Sequence, residues 1–251
     1  MTTSERWLRR HDHPAGAAPR VRLVCLPHAG GSAGLYQGWS RLLPAGVQQV
    51  CVQYPGRQER LGDPCVETME VMADRVTDAL LELDPLPLAL FGHSMGSLVA
   101  YEVARRLEQR HGILPVRLFV SASPAPGQDR TSLPAPDDAS LVDYVRRQSG
   151  SASDAYDHPE LRELLLPSLR ADFRLLGSYR PHRPDALRVP ITALGGDRDP
   201  GCGTAELERW SALTLGGWEL RSFPGGHFYL DDAAADVVDV VAERLLLPTA
   251  P

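Results

Sequence analysis

Lysine is absent from this sequence of 251 residues, and cysteine is scarce. All 26 basic residues are arginine, and there are 4 cysteines. We attribute the missing lysine to genomic composition bias rather than to chemistry. None of the cysteines lies in a C-x-x-C pair, and Cys25 and Cys51 fall within apolar runs that suit buried free thiols. The cysteine pattern therefore gives no indication of an oxidising compartment.

Long apolar runs are missing as well. The first residues, MTTSERWLRRHDHPAG, lack the apolar core of a secretory signal. No run approaches the ~20 apolar residues that cross a bilayer. The formal net charge of −6 argues against general nucleic-acid binding. We therefore expect a cytoplasmic protein that has neither a membrane nor a nucleic acid as a partner.

A strand, a sharp turn and a helix are indicated in the middle of the chain. Residues 88–91 form a continuous apolar run, typical of a strand that is covered on both faces. The motif G-x-S-x-G follows at residues 92–96 with Ser94 at its centre, and helical spacing begins at Ser97. Glycines permit a turn tight enough to push the serine hydroxyl outward, where the helix N-terminus stabilises negative charge. Ser94 is therefore the predicted nucleophile.

A second loop belongs to the same edge of the predicted sheet. Residues 21–26 read as a strand that ends in the sequence PHAGGS, and a Gly-Gly loop lets the backbone approach a ligand closely. In hydrolases of this layout such a loop supplies one oxyanion-hole amide, and the residue after the nucleophile supplies the other. Here these are the backbone N–H groups of Ala29 and Met95. We expect His28 to shape the loop by hydrogen bonding rather than to act as a base.

Strands and helices alternate along most of the chain, which predicts a mostly parallel central sheet flanked by helices. Further strands are expected at residues 47–53, 116–122, 189–194 and 218–223, with helices at 67–83 and about 231–247. The first 19 residues suit a frayed end or a short edge strand that is anchored by Trp7 and Leu8.

The alternation breaks between residue 123 and about residue 188, where no strand pattern occurs. Helical spacing begins near residue 137 and again covers 159–176. These segments predict a helical lid insertion at about 124–188 within a single domain that spans residues 1–251. Open α/β sheets bind ligands at the edge over which such an insertion lies. The apolar faces of the lid helices either line an acyl channel or pack on the domain.

The predicted serine nucleophile needs a base and a carboxylate that orients the base. His227 follows the last predicted strand in a glycine-rich loop, so it is the candidate base. Asp197 and Asp199 both lie in the loop after the preceding strand, where the acid belongs in this class. We favour Asp199, because it lies farther from the strand, beside Pro200. Asp197 is the alternative, and the aspartate that is not the acid would hold the turn or cap the helix near Glu206.

The loop YPGRQER at residues 54–60 carries a Pro-Gly turn signal and two arginines. Arg57 and Arg60 are candidates for binding an anionic group of a substrate or partner. Residue chemistry alone somewhat favours the other interpretation, a solvated or salt-bridged loop.

These residues together predict acyl transfer to water. His227 takes the proton of Ser94, which attacks a carbonyl carbon, and the amides of Ala29 and Met95 stabilise the oxyanion. Water then hydrolyses the acyl-enzyme, with His227 again as the base. No metal and no organic cofactor is expected.

Six motifs resemble those of the stand-alone type II thioesterases that accompany modular polyketide and nonribosomal peptide synthetases. They are LPHAGGS at 26–32, YPGRQER at 54–60, FGHSMG at 91–96, RADFRLLGSY at 170–179, GGDRDP at 195–200 and GGHFYL at 225–230. The resemblance implies the α/β-hydrolase fold with a mobile helical lid, and it supports Asp199 as the acid. It also implies hydrolysis of acyl groups from the phosphopantetheine arm of carrier proteins, which clears stalled or mis-primed synthetases.

The partners that the resemblance implies are acyl or peptidyl carrier protein domains, and a monomer that acts in trans is the working expectation. Carrier proteins are usually acidic, so a net-negative chain needs a local basic face for docking. The candidates are arginines of the predicted lid: Arg146, Arg147, Arg170 and Arg174. The triad residues alone also permit a carboxylester or lactone hydrolase or an acyltransferase, and a non-catalytic interaction module is a further alternative.

Overall fold

The computed structural model describes residues 2–11, 18–128, 133–134, 137–148, 153–181 and 184–246. The strands in these ranges are β1 (Leu8–His11), β2 (Val21–Leu26), β3 (Val47–Val52), β4 (Leu88–His93), β5 (Arg117–Ser121), β6 (Ile191–Gly196) and β7 (Trp218–Phe223). The helices are α1 (Thr3–Trp7), α2 (Met69–Leu81), α3 (Met95–His111), α4 (Asp138–Gln148), α5 (Pro159–Ser178), α6 (Thr204–Glu208) and α7 (Ala234–Leu246).

The strands form one sheet in the order β1-β3-β2-β4-β5-β6-β7. Strand β1 pairs antiparallel with β3, and the other pairings are parallel. The prediction of a mostly parallel sheet is confirmed. Within the first 19 residues, β1 is an edge strand, which is one of the two predicted alternatives, and it follows α1. The predicted anchors Trp7 and Leu8 are buried, and residues 1 and 12–17 lie outside the described residues.

Side chains of the central strands alternate between two cores. Val24 and Leu90 face the core that α2 and α3 cover. Cys25 and Phe91 face the opposite core, which is covered by α7 and by a 3-10 helix at Ala33–Arg41. Because both faces of the sheet are covered, every residue of β2 and β4 is buried, and this is why residues 88–91 form a continuous apolar run.

The four cysteines are free thiols, and Cys25, Cys51 and Cys202 are buried. Cys25 and Cys51 face each other across the pairing of β2 with β3. The prediction of buried free thiols is confirmed for these two residues.

The order of the strands reverses between β2 and β4. From β2 the chain moves outward to β3, and it then crosses back to place β4 on the other side of β2. Ligands in open α/β sheets bind at such a reversal, beyond the carboxyl ends of the strands. The loops that follow β2 and β4 therefore meet at the favoured position for a binding site.

The segment between β5 and β6 contains α4, a 3-10 helix at Ser153–Asp157, and α5. The described residues of this segment contain no strand, as expected, although Leu187 forms an isolated bridge with Thr214. Residues 129–132, 135–136, 149–152 and 182–183, which belong to the predicted lid, lie outside the described residues. The lid boundaries and the single-domain assignment stay predictions.

Candidate active site

Ser94 lies at the turn between β4 and α3 in a strained backbone conformation. Its φ is 54° and its ψ is −117°, a combination that side-chain-bearing residues rarely adopt. A Cβ added to Gly92 would lie 2.2 Å from the carbonyl oxygen of Gly96, so a larger residue does not fit there. The backbone N–H of Ser94 donates to the carbonyl of Ser121 in β5 at 2.7 Å. The sharp strand–turn–helix predicted from G-x-S-x-G is present.

The loop after β2 lies directly against the N-terminus of α3. A Cβ added to Gly96 would lie 2.1 Å from the carbonyl oxygen of Leu26, so the two backbones are in contact. Met95 is the first residue of α3, and Ala29 belongs to the adjoining loop. The two predicted oxyanion-hole residues therefore occupy neighbouring segments at the strand-order reversal.

His28 supports this loop from within. Its Nδ1 lies 2.8 Å from the carbonyl oxygen of Ala29, which can only accept, so Nδ1 carries the proton. Burial is the main reason that the pKa of His28 falls to about 4, and the charge of His227 adds to the effect. The ring also meets Phe228 edge to face, with centroids 4.9 Å apart. His28 is thus a neutral group that shapes the loop, as the sequence indicated.

Asp199 and His227 come together from the loops after β6 and β7. The Oδ2 atom of Asp199 lies 2.8 Å from Nδ1 of His227, and Oδ1 accepts a hydrogen bond of 2.8 Å from the Gly201 backbone N–H. Both side chains are buried. A carboxylate that accepts from Nδ1 leaves the lone pair on Nε2, the tautomer that a general base needs.

Asp197 is exposed and points elsewhere. Its Oδ1 accepts a 2.9 Å hydrogen bond from the backbone N–H of Gly225 and thereby ties the β6 loop to the β7 loop. We predicted that the aspartate that is not the acid would hold the turn or cap the helix near Glu206. Asp197 holds the turn.

A buried polar chain that the sequence did not indicate connects His93, the residue before Ser94, with Tyr229 in the loop after β7. Nδ1 of His93 lies 2.8 Å from Oγ of Ser121, which lies 2.7 Å from the hydroxyl of Tyr229. The His93 ring centroid is 5.3 Å from that of His227. Burial lowers the pKa of His93 well below its usual value, so the ring is neutral. The one signal in the sequence was a histidine directly before the predicted nucleophile.

Arg57 is buried and does not face solvent. Its guanidinium binds both carboxylate oxygens of Asp172 in α5, at 2.7 and 2.9 Å. Arg60 donates to Oδ2 of Asp63 and to the carbonyl of Gln53. The salt-bridged interpretation of this loop is therefore confirmed. Nothing in the sequence indicated that the partner of Arg57 would come from α5.

Three of the four arginines considered for docking are already paired. Arg146 is within salt-bridge distance of Asp157 and Asp143, Arg170 of Asp138, and Arg174 of Glu67. Their positive charge is locally balanced, so these arginines do not form a strongly basic face.

Membrane-spanning helices and metal-binding clusters are absent from the described residues. No helix there is long and apolar enough to cross a membrane. No group of three or more histidine, cysteine, aspartate or glutamate side chains in that part of the chain is arranged to hold a metal ion. The predictions of a cytoplasmic location and of cofactor-free chemistry stay predictions.

The fold and the serine turn define an α/β-hydrolase. The chain matches the thioesterase domain family over residues 21–245. It is 44% identical over 247 residues to the thioesterase PikA5 of Streptomyces venezuelae, covering 96% of this chain and 86% of that protein. It is 42% identical over 241 residues to the AMB antimetabolite synthetase AmbE of Pseudomonas aeruginosa, covering 95% of this chain and 11% of the synthetase.

The solved structure of BorB, a type II thioesterase from the borrelidin biosynthetic cluster, superposes on this chain with a TM-score of 0.84. The two sequences are 36% identical, and the match covers 95% of this chain and 97% of BorB. This chain belongs to the thioesterase family, and it is a thioester hydrolase of the serine-hydrolase type.

Proposed function

We propose that this chain hydrolyses acyl groups from the phosphopantetheine arm of acyl or peptidyl carrier protein domains, and so edits stalled or mis-primed polyketide or nonribosomal peptide synthetases. Ser94 is the nucleophile, His227 the base, and Asp199 the orienting acid. The backbone N–H groups of Ala29 and Met95 form the oxyanion hole. The observation that carries the proposal is the buried contact of 2.8 Å between Asp199 and His227, in a chain of the thioesterase family.

The first half of the reaction forms an acyl-enzyme. Nε2 of His227 takes the proton from Ser94 Oγ as that oxygen bonds to the thioester carbon, and the carbonyl oxygen becomes an oxyanion between the Ala29 and Met95 amides. The carbon–sulphur bond then breaks. The pantetheine sulphur leaves with the proton from His227, so charge and protons balance. Asp199 stabilises the imidazolium that exists between these two transfers.

The second half uses water in place of the serine. His227 takes a proton from water, the hydroxide bonds to the acyl carbon, and a second oxyanion occupies the same hole. The ester bond to Ser94 breaks, and His227 returns its proton to Oγ. The free carboxylic acid leaves, and each step uses groups of the protein, the substrate and water.

The experiment compares hydrolysis of an acyl-loaded carrier protein with hydrolysis of a simple oxygen ester of the same acyl group. The variants are Ser94→Ala and, as a matched control, Ser211→Ala at an exposed serine. We expect a strong preference for the carrier-bound thioester, loss of turnover in Ser94→Ala, and normal turnover in the control. Equal or better turnover of the oxygen ester would instead favour the carboxylester hydrolase.

A further inference from the structure

Asp172 is a fully buried carboxylate that lies on α5 and reaches the loop after β2. One of its oxygens, Oδ2, accepts a 2.7 Å hydrogen bond from the backbone N–H of Gly30. The same oxygen and its partner Oδ1 accept from the two terminal nitrogens of Arg57, at 2.7 and 2.9 Å. Asp172 is 0% exposed and Arg57 is 4% exposed. No step of the hydrolysis described above uses either side chain.

The peptide unit between Ala29 and Gly30 is held at both of its ends. Its carbonyl oxygen is bound by Nδ1 of His28, and its N–H is bound by Asp172. Fixing this peptide plane fixes the ψ angle of Ala29, which in turn limits the directions in which the Ala29 N–H can point. A displacement of about 1 Å at such a donor is enough to lower a catalytic rate about 100-fold.

Other lid groups close over the same peptide. Gly30 has a φ of +77°, and a Cβ added there would lie 3.0 Å from Leu169 Cδ1 and 3.3 Å from the hydroxyl of Tyr156. Arg57 also donates to the carbonyl of Gly31 at 3.0 Å. The conformation of the loop is therefore determined by contacts with the lid region as well as by the loop's own residues.

The ion pair of Asp172 with Arg57 also prevents repulsion between the carboxylate and the oxyanion. A lone carboxylate beside an oxyanion hole would repel the negative charge that develops on the substrate. Arg57 binds both oxygens of Asp172, so the pair carries no net charge. The carboxylate can then accept from Gly30 without opposing the oxyanion.

We propose that Asp172 is a positioning residue through which the lid helix α5 holds the Ala29–Gly30 peptide, and with it the Ala29 amide, in the geometry that stabilises the oxyanion. Arg57 keeps that carboxylate electrically balanced. The oxyanion hole is thus complete only when α5 is in place. The inference rests on the assignment of Ala29 as an oxyanion-hole donor in the proposed function.

The test separates positioning from simple support of the fold. The variants are Asp172→Asn and the double variant Arg57→Met/Asp172→Leu, which removes the buried charges together but leaves the Gly30 N–H without its acceptor. The control is Arg244→Met/Glu219→Leu. That pair is also bidentate, at 2.7 and 2.6 Å, and it joins α7 to β7. The readouts are the melting temperature, kcat and KM on a small N-acetylcysteamine thioester, and Kd for a trifluoromethyl ketone that mimics the oxyanion.

We expect Asp172→Asn to lower kcat about 10- to 100-fold, below the ~100- to 1,000-fold loss of a whole oxyanion donor, with KM within about twofold. The affinity for the ketone should fall by the same factor as kcat. The double variant should recover melting temperature relative to Asp172→Asn, because it leaves no buried unpaired charge, but it should not recover kcat. The control should keep kcat and ketone affinity whatever its melting temperature.

Recovery of kcat together with melting temperature in the double variant would overturn the inference, as would unchanged ketone affinity in that variant, which has no acceptor for the Gly30 N–H. The proposed function fails in a different way, when the wild type prefers the oxygen ester to the carrier-bound thioester. In that case the same variants are assayed on the ester, because its hydrolysis passes through the same oxyanion.

Discussion

Replacing Asp199 by asparagine should leave the shape of the site intact and move the ring proton of His227 from Nδ1 to Nε2. In the structure Oδ1 of Asp199 accepts from the Gly201 N–H, so an asparagine at this position keeps its carbonyl oxygen there. Its NH₂ group then takes the place of Oδ2, which lies 2.8 Å from Nδ1 of His227. Because NH₂ is a donor, Nδ1 must accept, and the ring proton moves to Nε2. A His227 of this form cannot take the proton of Ser94.

The expected loss is large because the base is present in the wrong tautomer. The same replacement in serine-protease triads lowers kcat about 10⁴-fold, and we expect a loss of about 10³- to 10⁴-fold here. This corresponds to about 4 to 5.5 kcal/mol of transition-state stabilisation. Asp197→Asn is the matched control. Asp197 is exposed, and its side chain accepts a hydrogen bond from the Gly225 N–H rather than from His227, so its replacement should change kcat by less than about threefold.

Both variants can be assayed with an acyl-loaded carrier protein, and nitrogen-15 NMR of the histidine rings reports which nitrogen of His227 carries the proton. A kcat of Asp199→Asn within tenfold of the wild type would refute the reasoning. So would a loss of 100-fold or more in Asp197→Asn, which would transfer the role of the acid to that residue. An unchanged tautomer with low kcat would leave the acid assignment in place but contradict the tautomer argument.

Three further predictions concern Gly96, Gly177 and His28. Gly96→Ala places a Cβ 2.1 Å from the Leu26 carbonyl oxygen, so it should cost about 1–3 kcal/mol of stability and lower kcat. Gly177→Ala, where nothing lies within 4 Å of the new Cβ, should instead stabilise α5 by about 0.5–1 kcal/mol. Denaturant titration of both variants measures their free energies of unfolding, and a Gly177→Ala variant less stable than Gly96→Ala would contradict the packing argument. The pKa of His28 is lowered to about 4 by burial, so protonation favours the unfolded chain, and stability present above pH 6.5 is lost as the pH falls towards 4. His28→Gln should therefore lose about 3 kcal/mol less than the wild type over that interval, and parallel curves of unfolding free energy against pH would show that His28 does not titrate in this way.

Much of the fold was predictable because burial on both faces of a parallel sheet leaves a strong local pattern. The bounds predicted for β2 and β7 agree with the structure at both ends, and those of β4 differ because Gly92 and His93 continue the strand into the turn. The turn itself was predictable from its two glycines, although only the exclusion at Gly92, against the Gly96 carbonyl, is local, and that at Gly96 comes from Leu26 in β2. The contact of Asp199 with His227 followed from the order of the loops along the sheet edge.

The contacts that the sequence did not predict join residues that are distant along the chain. Arg57 and Asp172 are 115 residues apart, and Asp172 and Gly30 are 142 residues apart. Asp172 lies three residues after Leu169 and four before Leu176, so helical spacing places it on the apolar face of α5, but nothing local identifies the partner of its charge. A buried carboxylate is unfavourable unless it is paired, so its pairing with Arg57 requires α5 to lie against the loop after β3. The hydrogen bond from the Gly30 N–H to the same carboxylate brings the loop after β2 to that point as well. That long-range requirement links α5 to the loops after β2 and β3, and no local pattern carries it.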